Sequence, residues 1–298
     1  MKFSLIISDG SHPCSTAPLQ GPAEVCFEKA AKLQVQGVQL TLDSPARYPL
    51  ELIQSLMEKT GLAVSGLATG EIYTRWGCSI GSGNEKTRRK AVASLQELLF
   101  YGKELGAPSL IIGAVRGRLS DAPSAPHYYH QFEESIRELL ETASKVHIPL
   151  ILEANDHEET DVFCDVAETY AFTQKIGSPW LSMYLDTMHL WNEKADLVGM
   201  IEQFGNKVPQ IDLSGPQRTA PGPASAIDFR ALMASLRHLS FAGWLTLEMR
   251  PVAQLDEVLR FFAGRRHVRI QELPFYKLMG AVKMGMHETF WPLERMEQ

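Results

Sequence analysis

Residues 180–190 read WLSMYLDTMHL, and this stretch decides the fold. The apolar run from Trp180 to Leu185 is typical of a buried strand, yet it continues directly into Asp186, and His189 follows three residues later. A charged group that leaves water must be paired or must bind a metal, so a dry strand that ends on a carboxylate indicates a site at the strand end. If other predicted strands also end on acidic residues, the order of the strands will determine whether these residues form one site.

Short apolar runs of this kind recur along the chain, with longer amphipathic segments between them. Most are nearly continuous in apolar residues, as expected of parallel strands that are covered on both faces. Repeated alternation of strand and helix predicts a parallel sheet, and eight such units that close on themselves form a (β/α)8 TIM barrel of the α/β class. The predicted strands are residues 3–7, 37–42, 62–67, 109–112, 149–152, 181–185, 209–213 and 244–247.

Helical periodicity fills most of the gaps between these strands. The clearest segment is 85–105, where Leu95, Leu98 and Leu99 fall on one face and Gly106 follows as a C-terminal cap. The predicted helices are residues 23–34, 85–105, 129–146, 163–176, 194–204, 229–239 and 255–263.

The sequence predicts one barrel domain over residues 1–265 and a C-terminal extension over residues 266–298. The extension carries Phe275, Tyr276 and Trp291. Side chains of this size need burial, so we expect the extension to pack on the barrel or on a second subunit of a homo-oligomer.

Composition excludes several classes of protein. A net charge of −6 argues against a nucleic-acid surface, since the densest basic run, residues 265–269 (RRHVR), is better explained as a solvated helix face or turn. No apolar run approaches a membrane span. The N-terminal apolar run is too short for a secretion signal. The chain has four cysteines, and their spacings match neither a zinc motif nor a disulfide framework, which predicts reduced thiols in a cytoplasmic protein. They are Cys14, Cys26, Cys78 and Cys164.

The last four predicted strands each carry one carboxylate at or near the C-terminal end. These residues are Glu153, Asp186, Asp212 and Glu248. In a barrel the C-terminal ends of the strands meet on one face, so the carboxylates converge and repel one another. A divalent cation removes that repulsion, and ligation by oxygen alone favours a hard ion. A strand-end carboxylate taken singly is often only a helix cap, and Asp212 is the member for which that alternative stays open.

Several stretches resemble the xylose isomerase-like TIM-barrel superfamily, in the sugar epimerase and isomerase branch that includes the ketose 3-epimerases. The resemblance covers the barrel and leaves out the extension. The matching stretches are SGLATG (65–70), residues 88–119, LILEAN (150–155), LDTMHL (185–190), QRTAPG with IDF (217–229) and GWLTLEMRP (243–251).

The resemblance implies one divalent metal ion, with Mn²⁺ ranked first and Mg²⁺ or Co²⁺ as alternatives. It implies that Glu153 and Glu248 also act as the acid and the base. The implied metal ligands are Glu153, Asp186, Asp212 and Glu248.

The resemblance also implies contacts with the substrate. The implied residues are His189, Arg218, Asn155 and Glu159, with Glu158 as an alternative to Glu159. Three positions depart from the family pattern: Asp212 stands in place of a histidine, Gln39 in place of a glutamate found in many members, and Asp156 in place of an arginine.

These observations predict a metal-dependent sugar isomerase or epimerase. It would abstract a proton next to the carbonyl of a ketose or keto-sugar derivative and form an enediolate. A metal-dependent lyase or dehydratase acting on a keto-sugar is the first alternative, and a catalytically inactive sugar-binding homologue is the second. The expected partner is a small carbohydrate, not a nucleic acid or a membrane. Residues 116–118 (RGR) could bind a phosphate group or could equally be solvated or cap a helix.

Overall fold

The computed structural model describes residues 1–12 and 16–263. Cys14 and the predicted extension at residues 266–298, with its aromatic side chains, lie outside the described residues. The described cysteines, Cys26, Cys78 and Cys164, are free and buried. Among the described helices, none combines the length and the apolar character needed to cross a bilayer.

One parallel sheet forms the centre of the protein, and it closes into a barrel because β1 pairs with both β3 and β9. The two-residue strand β2 adds to the edge of β1. The predicted (β/α)8 TIM barrel is therefore confirmed. The strands are β1 (Lys2–Ser8), β2 (Leu19–Gln20), β3 (Gly37–Thr41), β4 (Ala63–Ala68), β5 (Leu110–Ile112), β6 (Leu150–Ala154), β7 (Leu181–Asp186), β8 (Gln210–Leu213) and β9 (Trp244–Leu247).

Helices surround the barrel, and each predicted helix is present in the described part of the chain. The helix at 125–146 begins earlier than predicted because the Ser124 side chain caps it. Three helices were not predicted: α2, α3 and α7. The helices are α1 (Ala23–Lys32), α2 (Leu50–Thr60), α3 (Glu71–Trp76), α4 (Glu85–Leu105), α5 (Ala125–Val146), α6 (Val166–Ile176), α7 (Thr187–Asn192), α8 (Leu197–Phe204), α9 (Phe229–His238) and α10 (Leu255–Ala263).

The strands use their two faces differently. Residues such as Leu5, Leu40 and Leu152 point outward into the apolar layer beneath the helices and are fully buried. The alternate residues point into the barrel, where several are polar: the Ser4 and Thr246 hydroxyl groups lie 2.8 Å apart across β1 and β9. The barrel interior is therefore polar in part, whereas branched apolar side chains usually dominate this position in such folds.

Strand register brings the predicted ligands level at one end of the barrel. Asp186 on β7 is the direct register partner of Asp212 on β8, and Asp212 is in turn the partner of Thr246, two residues before Glu248. Glu153 on β6 pairs with Tyr184 on β7. The chain order of the strands thus places these carboxylates on one side of the barrel mouth.

Candidate active site

A cleft opens at the C-terminal end of the barrel, where active sites of this fold lie. Its empty space is about 740 Å³, including the part that is open to solvent. Glu153 and Glu248 line the cleft together with Glu159 and Arg218, so the two predicted acid–base residues face one shared space.

The four predicted metal ligands form two overlapping groups. In each group, one ligand atom from every member lies within 4.8 Å of the others, and Asp186 belongs to both. The first group adds Glu153 and His189 to Asp186, and the second adds Asp212 and Glu248. The structure therefore gathers all four carboxylates around Asp186, and it also brings in His189, which the sequence analysis assigned to the substrate.

Asp186 is held by the helix that follows it. The carboxylate is fully buried, and its Oδ1 accepts the backbone N–H of Met188 at 2.6 Å as the N-terminal cap of α7. Its Oδ2 accepts a hydrogen bond from Arg218 Nη1. The strand-to-helix turn thus fixes the position of the carboxylate at the mouth of the barrel.

Arg218 reaches into the acidic group from the loop after β8. Nη1 lies 3.3 Å from Glu248 Oε2, and Nη2 lies 3.1 Å from His189 Nε2. Burial opposes the charge of the guanidinium, but the charges of Asp186 and Glu248 outweigh that effect and hold its pKa well above the usual value. Gln217 and Arg218 have φ angles of 56° and 59°, a left-handed conformation that is costly for residues other than glycine. The loop is bent so that the guanidinium points into the site.

Asp156 orients His189, a role that the sequence analysis did not assign. Its Oδ2 lies 2.6 Å from His189 Nδ1 and accepts a hydrogen bond from Asn192 Nδ2 at 2.8 Å. Its Oδ1 accepts the backbone N–H groups of Glu158 and Glu159. Burial alone would raise the pKa of this carboxyl, but the hydrogen bond and charge of His189 hold it well below the usual range. Asp156 therefore remains ionised and directs the other ring nitrogen of His189 toward the site.

Glu153 and Glu248 have pKa values that move in opposite directions. Burial would raise the pKa of Glu153, but His189, whose Nε2 lies 3.4 Å from Glu153 Oε1, and the charge of Arg116 lower it. Burial raises the pKa of Glu248 to about 7, with repulsion from Asp186 added and the charge of Arg218 acting against it. Two carboxyl groups with divergent pKa values are typical of an acid–base pair.

Asp212 is fully buried, as Asp186 is. Its Oδ1 accepts a hydrogen bond from Gln210 Nε2 at 2.7 Å, whereas its buried Oδ2 has no hydrogen-bond partner. Burial and the charges of Glu248 and Asp186 raise its pKa well above the usual value. Gln39, the second departure from the family pattern, accepts a hydrogen bond from the same Gln210 amide at 2.6 Å.

The remaining predicted contacts with substrate differ in their placement. Glu159 lines the cleft with its side chain 44% exposed, and its oxygens lie 3.8 Å from Arg218 Nη2 and 4.0 Å from His189 Nε2. Asn155 is buried and is not among the residues that line the cleft; its Oδ1 accepts the backbone N–H of Asp156 at 2.9 Å.

The RGR segment faces backbone carbonyl groups. Arg116 is fully buried and donates to the carbonyl oxygens of Ile112 and Gly113, among others. Arg118 donates to the carbonyl oxygens of Glu158 and Glu159. Both arginines thus stabilise the loops around the cleft through their backbone.

Comparison with known proteins agrees with the barrel fold. A family model described as "Xylose isomerase-like TIM barrel" matches residues 27–265. L-ribulose 3-epimerase of Mesorhizobium japonicum is 25% identical over 235 residues, which cover 74% of this chain and 78% of that protein. Fructoselysine 3-epimerase of Escherichia coli O157:H7 is 22% identical over 240 residues, which cover 76% and 86%.

Solved structures show the same fold at lower identity. The apo form of 3-keto-D-glucoside 4-epimerase from E. coli superposes with a TM-score of 0.75 at 16% identity, over 89% of this chain and all of that one (100%). D-allulose 3-epimerase from Methylomonas sp. in complex with D-allulose gives a TM-score of 0.68 at 17% identity, over 88% and 90%. With the family model spanning most of the barrel, the chain belongs to the xylose isomerase-like TIM-barrel family.

Proposed function

We propose that this protein is a divalent-metal-dependent sugar epimerase or isomerase that abstracts a proton next to the carbonyl of a ketose or keto-sugar derivative. The observation that carries the proposal is the pair Glu153 and Glu248, which face one cleft with pKa values displaced in opposite directions. Relatives named as 3-epimerases of ribulose and fructoselysine support the same class of reaction.

The donor set fits a hard cation. Three carboxylates, Glu153, Asp212 and Glu248, lie around Asp186. Arg218 and His189 are cationic groups that contact these carboxylates. The buried Oδ2 of Asp212 lacks a hydrogen-bond partner, which a cation would provide. Glu153, Asp186, Asp212 and Glu248 would hold the ion, and oxygen ligands favour Mn²⁺ or Mg²⁺. When bound, such an ion polarises the carbonyl oxygen of the substrate and so acidifies the adjacent C–H bond.

Glu153 acts as the base in this proposal. It removes the proton from the carbon next to the carbonyl, and the electron pair of the C–H bond moves onto the carbonyl oxygen to give an enediolate. Glu248 then delivers a proton to the opposite face of the same carbon, which inverts it. Glu153 suits the role of base because His189 and Arg116 lie beside it and favour its ionised form, whereas burial and repulsion from Asp186 favour the protonated form of Glu248.

Three further side chains orient the sugar. Arg218 Nη2 and His189 Nε2 lie 3.1 Å apart and present neighbouring hydrogen-bonding groups to the cleft. Glu159 lies across from both with an exposed carboxylate that accepts hydrogen bonds from sugar hydroxyl groups. Arg118 and Asp156 fix the backbone beneath Glu159.

Exchange with solvent tests the proposal directly. The metal-loaded protein is incubated in D₂O with free ketoses and with 3-keto glucosides, and the products are analysed by NMR and mass spectrometry. We expect epimers that carry one deuterium, and no incorporation with Glu153→Gln. Loss of water from the product would identify the lyase alternative, and absence of exchange with every sugar tested would contradict the enediolate mechanism.

A further inference from the structure

Gln210 hydrogen-bonds to both Asp212 and Gln39, two residues that depart from the family pattern. Gln210 Nε2 donates to Asp212 Oδ1 at 2.7 Å and to Gln39 Oε1 at 2.6 Å, so one amide group uses both of its hydrogens. Gln39 and Gln210 are each 1% exposed, and Asp212 is fully buried. The three side chains form a hydrogen-bonded row from β3 to β8 beneath the cleft.

The two ends of the Gln210 amide differ: Nε2 donates to two acceptors, whereas the buried Oε1 has no hydrogen-bond partner. If the amide were turned over, its oxygen would face Asp212 Oδ1 and Gln39 Oε1, which are both acceptors. Gly66 lies against this row, since a Cβ atom there would be 3.4 Å from Gln39 Oε1 and 3.4 Å from Gln210 Oε1. The contacts therefore favour the orientation in which the nitrogen of Gln210 faces Asp212.

We propose that Gln210 is a positioning residue that fixes Asp212 so that Oδ2 alone is presented to the divalent cation. Gln210 occupies Oδ1, and Oδ2 is the buried oxygen that has no hydrogen-bond partner. Asp212 then binds through one oxygen with a set direction, as the single nitrogen of an imidazole would. The inference rests on the proposed function, because it takes the cation as given.

Gln39 has a supporting part in the same arrangement. By accepting the second hydrogen of the Gln210 amide, it keeps that amide in the plane that reaches Asp212. Substitution of Gln39 should therefore also lower the affinity for the cation, through Gln210, but by a smaller factor than substitution of Gln210. Groups that hold the ligands of a metal in this way typically change its affinity by about 10–100-fold when they are removed.

Calorimetric titration with Mn²⁺ tests the inference on the whole protein. Gln210→Met keeps the length of the side chain and removes its donor, and we expect binding weaker by about 10–100-fold. The matched control is Ser4→Ala, which also removes a buried hydrogen bond of the barrel interior but does not contact Asp212. The control should bind Mn²⁺ as the wild type does.

A double-mutant cycle separates positioning from general damage. In an Asp212→Ala background, Gln210→Met should weaken Mn²⁺ binding no further, since the oxygen it positions is gone. The electron paramagnetic resonance spectrum of bound Mn²⁺ should change in Gln210→Met and not in Ser4→Ala. If Gln210→Met does not fold, Gln39→Met carries the same cycle with a smaller expected loss.

These experiments distinguish failure of the proposed function from failure of the positioning role of Gln210. A wild-type protein that binds no divalent cation overturns the proposed function. A wild-type protein that binds Mn²⁺, together with a Gln210→Met variant that behaves as Ser4→Ala does, overturns only the positioning role. An equal loss of affinity with and without Asp212 also overturns that role.

Discussion

The two halves of the barrel mouth line one cleft but are built differently. β6 to β9 form the acidic half, where each strand contributes one carboxylate at or next to its C-terminal end. β1, β3, β4 and β5 form the neutral half, whose strands contribute uncharged side chains. The cleft-lining residues of these four strands are Ile6, Gln39, Thr41, Ala68 and Ile111.

We expect the acidic half to carry proton transfer and metal binding, and the neutral half to shape the space for the substrate. The carboxylates of the acidic half are each held by hydrogen bonds to neighbouring groups, as with Asp186 at the start of α7 and Glu248, whose Oε1 accepts from Thr16 at 2.6 Å. Among the described residues, the four strands of the neutral half place no titratable side chain in the cleft, although the segments after β1 and β4 add His12 and Glu71 to its lining. These strands give the substrate space and shape. Substitutions in the acidic half should therefore act on kcat and on metal binding, and those in the neutral half on KM.

The largest expected effect is on turnover, with Glu153→Gln. The amide keeps the shape of the side chain but cannot accept the proton, so kcat should fall by about 10²–10⁴-fold. Thr41→Val, its counterpart in the neutral half, should mainly raise KM. Steady-state kinetics on any sugar that shows exchange measures both. A fall in kcat of equal size in the two variants would contradict the division between the halves.

Asp186→Asn should have the next largest effect, on metal affinity. Asparagine still caps α7, so the local fold is kept while the charge shared by both groups of ligands is removed. We expect Mn²⁺ binding weaker by about 100-fold or more, since even indirect changes around a metal cost about 10–100-fold. Calorimetry measures the affinity, and circular dichroism verifies the fold. Unchanged affinity would remove Asp186 from the ligand set.

Arg218→Met should change metal affinity in the opposite direction. Arg218 contacts Asp186 and Glu248, so its positive charge competes with a cation for the same carboxylates. Its removal should tighten Mn²⁺ binding by about 10-fold while raising KM, because the sugar loses a donor. Arg118→Met is the control, since Arg118 donates only to backbone carbonyls of the loop in the described contacts. Weaker Mn²⁺ binding in Arg218→Met would show that Arg218 organises the ligands and does not compete with the ion.

Several features of the barrel had a signal in the sequence. The strands and the convergence of the carboxylates followed from apolar runs that end on acidic residues. The link between Gln210 and Asp212 also had a signal, because residues two apart on a strand share a face. The helix α2 was missed although it has recognisable ends, Pro49 before it and Gly61 after it.

Other features of the site had no local signal. The position of Arg218 depends on left-handed backbone angles at Gln217 and Arg218, residues that do not favour them. The partnership of Asp156 with His189 joins residues that are 33 positions apart. The sequence analysis treated Asp156 only as a departure from the family pattern, and contacts between loops of this kind become visible only once the strands are assembled.

The smallest expected effect is on the free energy of unfolding, which should change with pH because the carboxyl groups of the acidic half are buried and repel one another. In the metal-free protein the pKa of Glu248 is about 7, against an ordinary value of 4.5. Between these pH values the folded state holds a proton that the unfolded state has released, so the free energy of unfolding falls as the pH rises. Asp212 and His189, whose pKa values are also raised, act in the same direction.

Thermal unfolding of the metal-free protein between pH 5 and pH 7 measures this effect. We expect a loss of about 1 kcal/mol from Glu248, or a few degrees in Tm, because its partial exposure weakens the repulsion. Glu248→Gln should reduce the slope, and Thr41→Val in the neutral half should leave it unchanged. Saturating Mn²⁺ should reverse the slope, since the ion competes with protons for the same oxygens and binds more tightly as the pH rises. A metal-free protein that gains stability over this range would mean that the acidic half is neutralised by its own arginine and histidine, and a metal would then not be needed to hold it together.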